Sequence, residues 1–408
     1  MTDRRLWGLL LTLYFAQGLP FGLITRALPA VAREAGLPLH YIGLLALAAL
    51  PWALKFLWAP YVDQLGRGRR NHRKRWLLVC QLSAVLVLCV MALLPLAALD
   101  VVLFWWLLAL LLLLNLAMAT HDIATDGLAV RLLPVAQRGP GNSIQAGGYK
   151  IGLLAGGALL LFWVSWFGWA SALLATALLL ALLLLPLWRF AEPLEAPAPA
   201  PPGNSVRWWW HSLLRFWARP GMPGWLGVLL LYKVGDSFGS RMLKPFLIDQ
   251  GWSLSAVASL DLLASLAGLL AMAVAGWLLL RWRRLTALLV FAVLQGIAFI
   301  GWAVVAAYPG GSGIWLVAVA EQMADGLATV ALFTVMMDHC RRHHEGSDYT
   351  LQASMLLLAS GLFTLASGFS AAAFGYSGHF LLAAGLSFAA IMPALYWGRG
   401  ERDERAGD

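Results

Sequence analysis

Charge is scarce in this sequence, and its scarcity excludes a water-soluble fold. Only 12% of the residues are Asp, Glu, Lys or Arg, whereas 61% are hydrophobic. Apolar runs of 18 or more residues recur, and each can cross a hydrocarbon core of about 30 Å as a helix. No ten-residue segments of alternating polarity, which a membrane β-barrel needs, occur among them. The sequence therefore predicts an all-α protein that crosses a membrane many times.

Cysteine is rare too, and the motifs of several chemistries are missing. Cys80, Cys89 and Cys340 are the only cysteines, and their positions suggest neither a disulfide framework nor a metal site. The phosphate-binding pattern GxxxxGK[ST] is absent, so we expect no ATP drive from this chain. Nothing resembles a catalytic triad. The sequence predicts a protein that is not an enzyme and has no metal site or cofactor of its own.

Charge clusters and turn residues divide the apolar runs into twelve predicted transmembrane helices, or spans, with a linker after the sixth. They lie at 6–32, 38–62, 76–98, 101–130, 143–166, 168–189, 223–249, 254–280, 285–307, 314–338, 350–374 and 378–398. The predicted domains are an N-terminal six-helix bundle at 1–189, a cytoplasmic linker at 190–222, a C-terminal six-helix bundle at 223–398 and a cytoplasmic tail at 399–408. The linker begins rich in Pro and Ala and ends in WWWHSLLRFWAR, which is typical of an interfacial amphipathic helix.

Lys and Arg are distributed unevenly among the loops. The loop between spans 2 and 3 reads DQLGRGRRNHRKR, and further arginines follow spans 4, 8 and 10 and flank both termini. The opposite set of loops is almost free of basic residues. This bias predicts that both termini are cytoplasmic. It also accounts for the pI of about 9.8, so we expect no nucleic-acid partner.

The two halves of the sequence resemble each other. Asp126-Gly127-Leu-Ala in span 4 has a counterpart in Asp325-Gly326-Leu-Ala in span 10, and Leu-Tyr14 in span 1 has one in Leu-Tyr232 in span 7. The order indicates a parallel six-span repeat, as between the two halves of major facilitator transporters. The loop after span 2 also resembles the facilitator signature, in which an Asp, a Gly and basic residues form a cytoplasmic latch. The matching latch residues are Asp63, Gly66, Arg69 and Arg70, with departures at Ala59, where Gly is usual, and Gln64, where a basic residue is usual.

Ionisable residues at bilayer depth cost about 2.5–3.5 kcal/mol each on insertion scales and need partners, water or a function. The candidate cations are Arg26, Lys55, Lys150, Lys233, Arg241 and Lys244, and the candidate anions are Asp122, Asp126, Asp236, Asp261, Glu321 and Asp325. Two carboxylates four residues apart share a helix face and can exchange protons. We therefore assign proton coupling or gating to Asp122, Asp126, Glu321 and Asp325. Structural ion pairing, for example with Lys150, is the alternative, and Lys55 and Lys150 could instead extend to the membrane surface.

Spans 1 and 7 occupy equivalent places in the two halves and are both rich in Gly, Pro and polar residues. Broken polar helices in such positions indicate a binding site between the halves of a transporter. Helix packing explains the glycines equally well, but it does not explain the charges. The predicted substrate-binding residues are Tyr14, Gln17, Arg26, Lys150, Tyr232, Lys233, Asp236 and Arg241.

Four motifs in order, LYFAQGLPFGL, LKFLWAPYVD, ATHDIATDGLAV and GGYKIG, resemble the AmpG-like branch of the major facilitators. That branch includes muropeptide permeases, acetyl-CoA transporters and RhtX/FptX-type siderophore importers. The short chain is most similar to the importers, FptX-like carriers of ferripyochelin. The resemblance implies that iron enters only as part of a transported chelate, so that the protein needs no metal ligands.

These observations predict an inner-membrane secondary transporter of bacteria with the bilayer, protons and a small-molecule substrate as partners. It is expected to import a ferric, pyochelin-like siderophore into the cytoplasm by proton-coupled alternating access. Two alternatives stay open. One is a permease of the AmpG type for muropeptides, which are anhydro-sugar peptides. The other is a membrane sensor that does not transport.

Overall fold

The computed structural model describes residues 3–35, 37–66, 68–95, 101–194, 206–308 and 313–407. These residues are helical almost throughout, and no strand occurs among them. Eight helical runs in these ranges are long and apolar enough to cross a membrane. The predicted all-α membrane fold is confirmed.

Two of the eight runs, Val135–Arg189 and Glu345–Arg399, are 55 residues long. Each contains a glycine with a positive φ, Gly168 at 81° and Gly375 at 67°, a conformation that side chains with a Cβ rarely adopt. Each run therefore divides into two segments of membrane length at the predicted boundaries of spans 5 and 6 and of spans 11 and 12. Spans 2 and 7 are broken into short helices, which is why they are absent from the eight.

Among its described residues, the first half of the chain contains ten α-helices with π-helical or 3₁₀ turns between some of them. The α-helices are α1 Asp3–Gly22, α2 Leu28–Glu34, α3 Leu39–Leu44, α4 Leu50–Leu54, α5 Ala59–Gln64, α6 His72–Ala92, α7 Val101–Leu132, α8 Arg138–Leu154, α9 Leu160–Leu182 and α10 Leu184–Arg189. Two π-helical turns, Leu23–Ala27 and Ala155–Leu159, interrupt predicted spans 1 and 5. Prolines 51 and 60 stand at the starts of α4 and α5, where a missing N–H is tolerated.

The second half contains nine α-helices within the described ranges. They are α11 Val206–Trp217, α12 Met222–Leu231, α13 Val234–Ser240, α14 Leu243–Asp249, α15 Leu254–Leu278, α16 Arg284–Ala307, α17 Ile314–Asp338, α18 Glu345–Ala389 and α19 Ile391–Gly407. The predicted interfacial helix is α11, whereas the Pro- and Ala-rich part of the linker, 195–205, lies outside the described residues. The helix α19 continues through most of the predicted tail.

The chain forms two compact units, and each takes a short segment from the other half of the sequence. Unit 1 comprises Met1–Pro134, Ile144–Ala200 and Cys340–Ser354, and unit 2 comprises Val135–Ser143, Pro201–His339 and Met355–Asp408. The start of α18 thus belongs to unit 1, and the start of α8 belongs to unit 2. The predicted domains divide the sequence at the linker alone. They do not assign 135–143 to the second unit or 340–354 to the first, as the structure does.

In unit 1, α1 packs against α8 at backbone distance. A Cβ added to Gly18 would lie 2.2 Å from the carbonyl oxygen of Tyr149, and one added to Gly156 would lie 1.9 Å from that of Leu19. Gly22 and Gly152 are equally confined by backbone atoms. The glycines form two GxxxG pairs, the spacing that lets membrane helices approach closely. This contact fixes the position of the polar residues on α1 relative to α8.

Candidate functional site

Two of the predicted coupling or gating acids, Asp122 and Asp126, lie one turn apart on α7 in unit 1. Both are buried, with 6% of Asp122 and 1% of Asp126 exposed. Asp122 forms an ion pair with Lys55, which belongs to the short 3₁₀ turn Lys55–Leu57 of the broken second span. Lys55 is itself only 5% exposed, so it does not extend to the membrane surface. The pair removes the net charge at this depth.

Asp126 has neutral partners instead. Its Oδ1 accepts a hydrogen bond from the Tyr14 hydroxyl at 3.0 Å and another from Nε2 of Gln145 at 3.1 Å. Gln145 in turn accepts one from the Tyr349 hydroxyl at 3.3 Å. Within the described residues no cation lies at ion-pair distance from Asp126; Arg131, the nearby arginine in sequence, pairs with Glu192 at 3.1 Å. Asp126 is thus held in place without being neutralised.

Gln17 belongs to a buried polar chain beside these acids. Its Nε2 donates to Oγ1 of Thr125 at 3.0 Å and lies 3.3 Å from Nδ1 of His121, whose Nε2 lies 3.2 Å from Oε1 of Gln81. Because Nδ1 faces a donor and Nε2 faces a carbonyl oxygen, the network assigns the proton to Nε2. His121 is then a neutral ring with both nitrogens satisfied, which makes it a packing residue rather than a proton relay.

An aromatic cluster lies beside Lys55 and contacts it through Trp52. The Nζ of Lys55 lies 5.3 Å from the ring centroid of Trp52, and the rings of Phe21, Trp52 and Tyr149 lie 5.5–6.3 Å apart. A desolvated cation over an indole is stabilised by the ring quadrupole. The cluster joins spans 1, 2 and 5, and none of its three rings was predicted as a site residue. Aromatic residues in an apolar chain carry no signal of their own that would have identified them.

Arg26 and Lys150, both predicted to bind substrate, differ in their surroundings. Arg26 lies in the π-helical turn Leu23–Ala27 and is exposed. Its stem packs on the second π-helical turn, where a Cβ on Gly157 would lie 2.9 Å from Cδ of Arg26. No ion pair of Arg26 occurs within the described residues. Lys150 is half-buried on α8. Single π-helical turns are frequent at functional sites, which makes the Arg26 guanidinium a candidate ligand group.

In unit 2, three predicted residues meet at the joint between α12 and α13. Lys233 contacts Asp236 at 3.1 Å and forms a second ion pair with Asp325 of α17. Thr329 also donates to Asp325, at 3.2 Å. Tyr232, the neighbouring residue, donates to the carbonyl of Leu288 at 2.9 Å and so acts in packing. Arg241, eight residues after Lys233, is exposed.

Glu321 lies one turn before Asp325 on α17 and is 3% exposed. Its Oε2 accepts a hydrogen bond from Gln322 at 3.1 Å. Glu321 and Gln322 line a cavity of about 160 Å³ within unit 2. Lys244 and Asp261 also line it and form an ion pair at 3.1 Å. A buried carboxylate at a cavity wall can meet water or a ligand, so Glu321 has the surroundings that the predicted role requires.

The two halves repeat this contact pattern. In unit 1 span 1 contacts the second acid of α7 through Tyr14, and in unit 2 span 7 contacts the second acid of α17 through Lys233. Tyr14 aligns with Tyr232, so the contact residue is displaced by one position. The repeat seen in the sequence is therefore a repeat in structure, but the partner of the acid is a neutral phenol in one half and a cation in the other.

The predicted latch residue Asp63 is buried in unit 1 and receives the start of α18. It accepts hydrogen bonds from the backbone N–H of Ser347 at 2.6 Å and from its hydroxyl at 2.7 Å. Arg73 contacts Asp63 at 3.2 Å and Glu345 at 3.0 Å. A carboxylate at a helix N-terminus satisfies free N–H groups and interacts favourably with the helix dipole.

The basic member of this cluster is Arg73, which sequence reasoning did not name. Arg69 and Arg70 are exposed, and Gly66 has a φ of 95° in the turn between α5 and α6. Gly127, beside the second acid of α7, leaves the space: a Cβ there would lie 2.8 Å from Nε of Arg73. In unit 2 a similar cluster joins Arg138 and Arg284 to Asp338, at 3.0 and 2.9 Å.

Curated relatives match the chain along nearly all of its length. The anhydromuropeptide permease of Escherichia coli (strain K12) is 29% identical over 95% of this chain and 78% of its own length. Putative transporter AmpG 4 of Rickettsia felis is 24% identical over 97% of this chain and 96% of its own. Neither name supports the predicted siderophore importer, whereas the first corresponds to the alternative.

Solved structures share the fold at low identity. The proton:xylose symporter XylE matches with a TM-score of 0.74 at 12% identity, covering 98% of this chain and 96% of its own. The human organic anion transporter MFSD10 matches with a TM-score of 0.71 at 16% identity, covering 97% and 100%. The model of the Major Facilitator Superfamily matches residues 10–364. The chain therefore belongs to the Major Facilitator Superfamily and is a multi-pass membrane transporter, not an enzyme.

Proposed function

We propose that the protein is a muropeptide permease of the bacterial inner membrane, which imports an anhydro-sugar peptide into the cytoplasm by proton-coupled alternating access. The substrate class comes from the similarity to the anhydromuropeptide permease, which extends over 95% of this chain. It replaces the ferric siderophore that the sequence motifs suggest, because none of the relatives described above is named for such a ligand. The proposed permease needs no cofactor.

The burial and the hydrogen-bond partners of Asp126 support the proton-coupled part of the proposal. Asp126 is buried and accepts hydrogen bonds from two neutral groups, Tyr14 and Gln145. A hydroxyl can donate to a carboxylate and accept from a carboxylic acid, so this site can hold either protonation state of Asp126. Asp122, by contrast, is ion-paired with Lys55. We therefore assign the coupling proton to Asp126, one of the four acids that the sequence predicts for coupling or gating, and an orienting role to the Lys55–Asp122 pair beside it.

The ligand-binding side of the proposal rests on Arg26 and the aromatic cluster. An anhydro-sugar peptide carries carboxylates on its peptide and an apolar face on its sugar ring. Arg26 is an exposed guanidinium without an ion-pair partner among the described residues, and such a fork binds carboxylates in bidentate fashion. Trp52 and Tyr149 offer ring faces in the same unit. Each half of the substrate thus has a matching group in unit 1.

Uptake into proteoliposomes tests the function directly. The purified chain is reconstituted and given radiolabelled anhydromuropeptide under an inward proton gradient. We expect accumulation above the equilibrium level, and we expect a protonophore to abolish it. Asp126→Asn should retain equilibrating exchange but lose accumulation, because the site can no longer change its charge. Asp249→Asn, which alters an exposed acid of unit 2 outside the cavity of Glu321, is the matched control and should accumulate normally.

Two other results would replace the proposal. Accumulation of a ferric siderophore such as ferripyochelin, without any uptake of muropeptide, would return the substrate to an iron chelate. Binding of muropeptide without uptake of any tested ligand would make the chain a sensor. If Asp126→Asn still accumulates muropeptide in a protonophore-sensitive manner, the coupling site lies elsewhere, and Glu321→Gln becomes the next variant to measure.

A further inference from the structure

A second cavity lies in unit 1 outside the proposed transport site, where the turn after α5 meets the start of α6. Its volume is about 470 Å³, within the range of roughly 300–1,000 Å³ that ligand pockets have. Its wall is basic at one side and apolar at the other. It is lined by Leu65, Arg69, His72, Arg75, Trp76 and Val79.

The basic side of the cavity presents groups without partners. Arg69 and Arg75 are exposed, and neither guanidinium forms a hydrogen bond or ion pair within the described part of the chain. His72 is 3% exposed and lies 2.9 Å through Nε2 from the carbonyl of Val62. Its Nδ1 is buried and has no hydrogen-bond partner among the described residues. Because only an N–H can bond to that carbonyl, Nε2 carries the proton. In the neutral ring Nδ1 is then a hydrogen-bond acceptor that no described residue uses.

The apolar side of the cavity continues along the outer surface of α6. Val79 is 60% exposed, Leu82 49% and Leu86 65%, and Val90 follows at 40%. Intervals of three and four residues place them on one face of the helix. In a membrane transporter an exposed apolar face of this kind lies against acyl chains. The cavity is therefore the end of a lipid-facing stripe, with Trp76 beside it, a residue type that concentrates at the membrane interface.

We propose that this cavity binds the headgroup of an anionic phospholipid of the phosphatidylglycerol type. Arg69 and Arg75 bind the phosphodiester, and a glycerol hydroxyl donates to Nδ1 of His72. The acyl chains follow the stripe from Val79 to Val90. The charge of the site excludes phosphatidylcholine as an equal ligand, because its choline group would face two arginines.

Native mass spectrometry of the full chain, purified in detergent and freed of endogenous lipid, tests the proposal. The probes are phosphatidylglycerol, phosphatidylcholine and phosphatidylmethanol, each added at the same molar excess. We expect one retained phosphatidylglycerol, at least about tenfold weaker retention of phosphatidylcholine, and intermediate retention of phosphatidylmethanol, which has the charge but no headgroup hydroxyl. The double variant Arg69→Gln/Arg75→Gln should weaken phosphatidylglycerol retention roughly thirtyfold, since both charges are lost.

The matched control is Arg4→Gln/Arg5→Gln, which removes the same charge from two exposed arginines of α1 and should bind phosphatidylglycerol as the parent does. Because Arg69 and Arg75 are exposed, their replacement should leave the melting temperature in lipid-free detergent unchanged. Equal retention of phosphatidylcholine, or unchanged binding by the Arg69/Arg75 variant, would overturn the site. Competition by 10 mM inorganic phosphate would make it a site for free anions. If phosphatidylmethanol were retained as well as phosphatidylglycerol, His72 would not take part in binding the headgroup.

Discussion

Removal of either charge of the buried Lys55–Asp122 pair should destabilise the protein far more than removal of both. The perturbation is a double-mutant cycle of Lys55→Met, Asp122→Leu and the double variant, in which each replacement is apolar and similar in volume. Both side chains are almost fully buried, at 6% and 8% exposure. Solvent screening therefore offers little relief to a charge left alone.

The magnitude follows from the cost of an unpaired buried charge. Breaking a buried pair by removing one partner costs about 3–5 kcal/mol, whereas exchanging the whole pair for apolar groups is often neutral. Lys55→Met also removes the cation–π contact with Trp52, about 2 kcal/mol when desolvated, so it should be the costlier single change. The double variant also lacks that contact, so it should be about 2 kcal/mol less stable than the parent, well short of either single change. The coupling energy is then at least about 3 kcal/mol.

The assay is unfolding of detergent-solubilised protein by titration with sodium dodecyl sulfate, followed by the fluorescence of its 21 tryptophans. The matched control is the same cycle on Lys244 and Asp261, whose side chains are 61% and 37% exposed. That pair should give a coupling energy below about 1 kcal/mol. If the Lys55 and Asp122 variants are additive, or if each costs less than about 1 kcal/mol, the pair does not neutralise a buried charge and the reasoning fails.

Three further predictions concern packing, the latch and pH. Gly156→Ala should lower the melting temperature by several degrees, because its Cβ would lie 1.9 Å from a backbone oxygen. Gly8→Ala, whose Cβ would have no atom within 4 Å, should not lower it. Equal melting temperatures for the two variants would refute tight packing at Gly156. Asp63→Ala should cost roughly 2–4 kcal/mol, because the N–H groups of Gly346 and Ser347, the Ser347 hydroxyl and Arg73 all lose their acceptor. The exposed Arg70→Gln should cost almost nothing, and circular dichroism melts of the two variants test the difference. Burial, then a neighbouring arginine, lowers the pKa of His339 to about 4 from 6.5, so the neutral ring is favoured by folding. This stabilisation is complete above pH 6.5 and falls by about 3 kcal/mol as the pH is lowered to 4. A His339→Phe variant with the same fall in melting temperature over that pH range would contradict this.

The helices and their ends could be predicted from the sequence because both are local properties. Apolar length determines the spans, and charges or glycines end them, as at Gly168 and Gly375. The breaks in span 2 were missed although Pro51 and Pro60 are visible in the sequence. A membrane helix often tolerates proline, so its presence alone does not show where the helix is interrupted.

Partnerships between distant charges could not be predicted, because they depend on which helices are neighbours. The sequence offered six cations and six anions and no means of pairing them. Lys55 with Asp122, and Arg73 with both Asp63 and Glu345, became evident only when α7 and the start of α18 were placed in unit 1. The choice of Arg69 and Arg70 as latch residues followed their position in the motif, but both side chains are exposed. Arg73 lies at the start of α6, where the helix itself directs it inward.

The internal repeat carries one more consequence for coupling. Asp126 and Asp325 occupy equivalent positions, yet Asp126 meets the hydroxyl of Tyr14 and Asp325 meets the ammonium of Lys233. An ammonium interacts favourably with a carboxylate, whereas a phenol can donate to a carboxylate or accept from a carboxylic acid. We therefore expect Asp325 to act as the partner of Lys233 and Asp126 to exchange the proton. The proposed proton therefore belongs to unit 1. Lys233→Met would remove this difference, and the variant should then exchange a second proton per substrate, which the reversal potential of transport in proteoliposomes would measure.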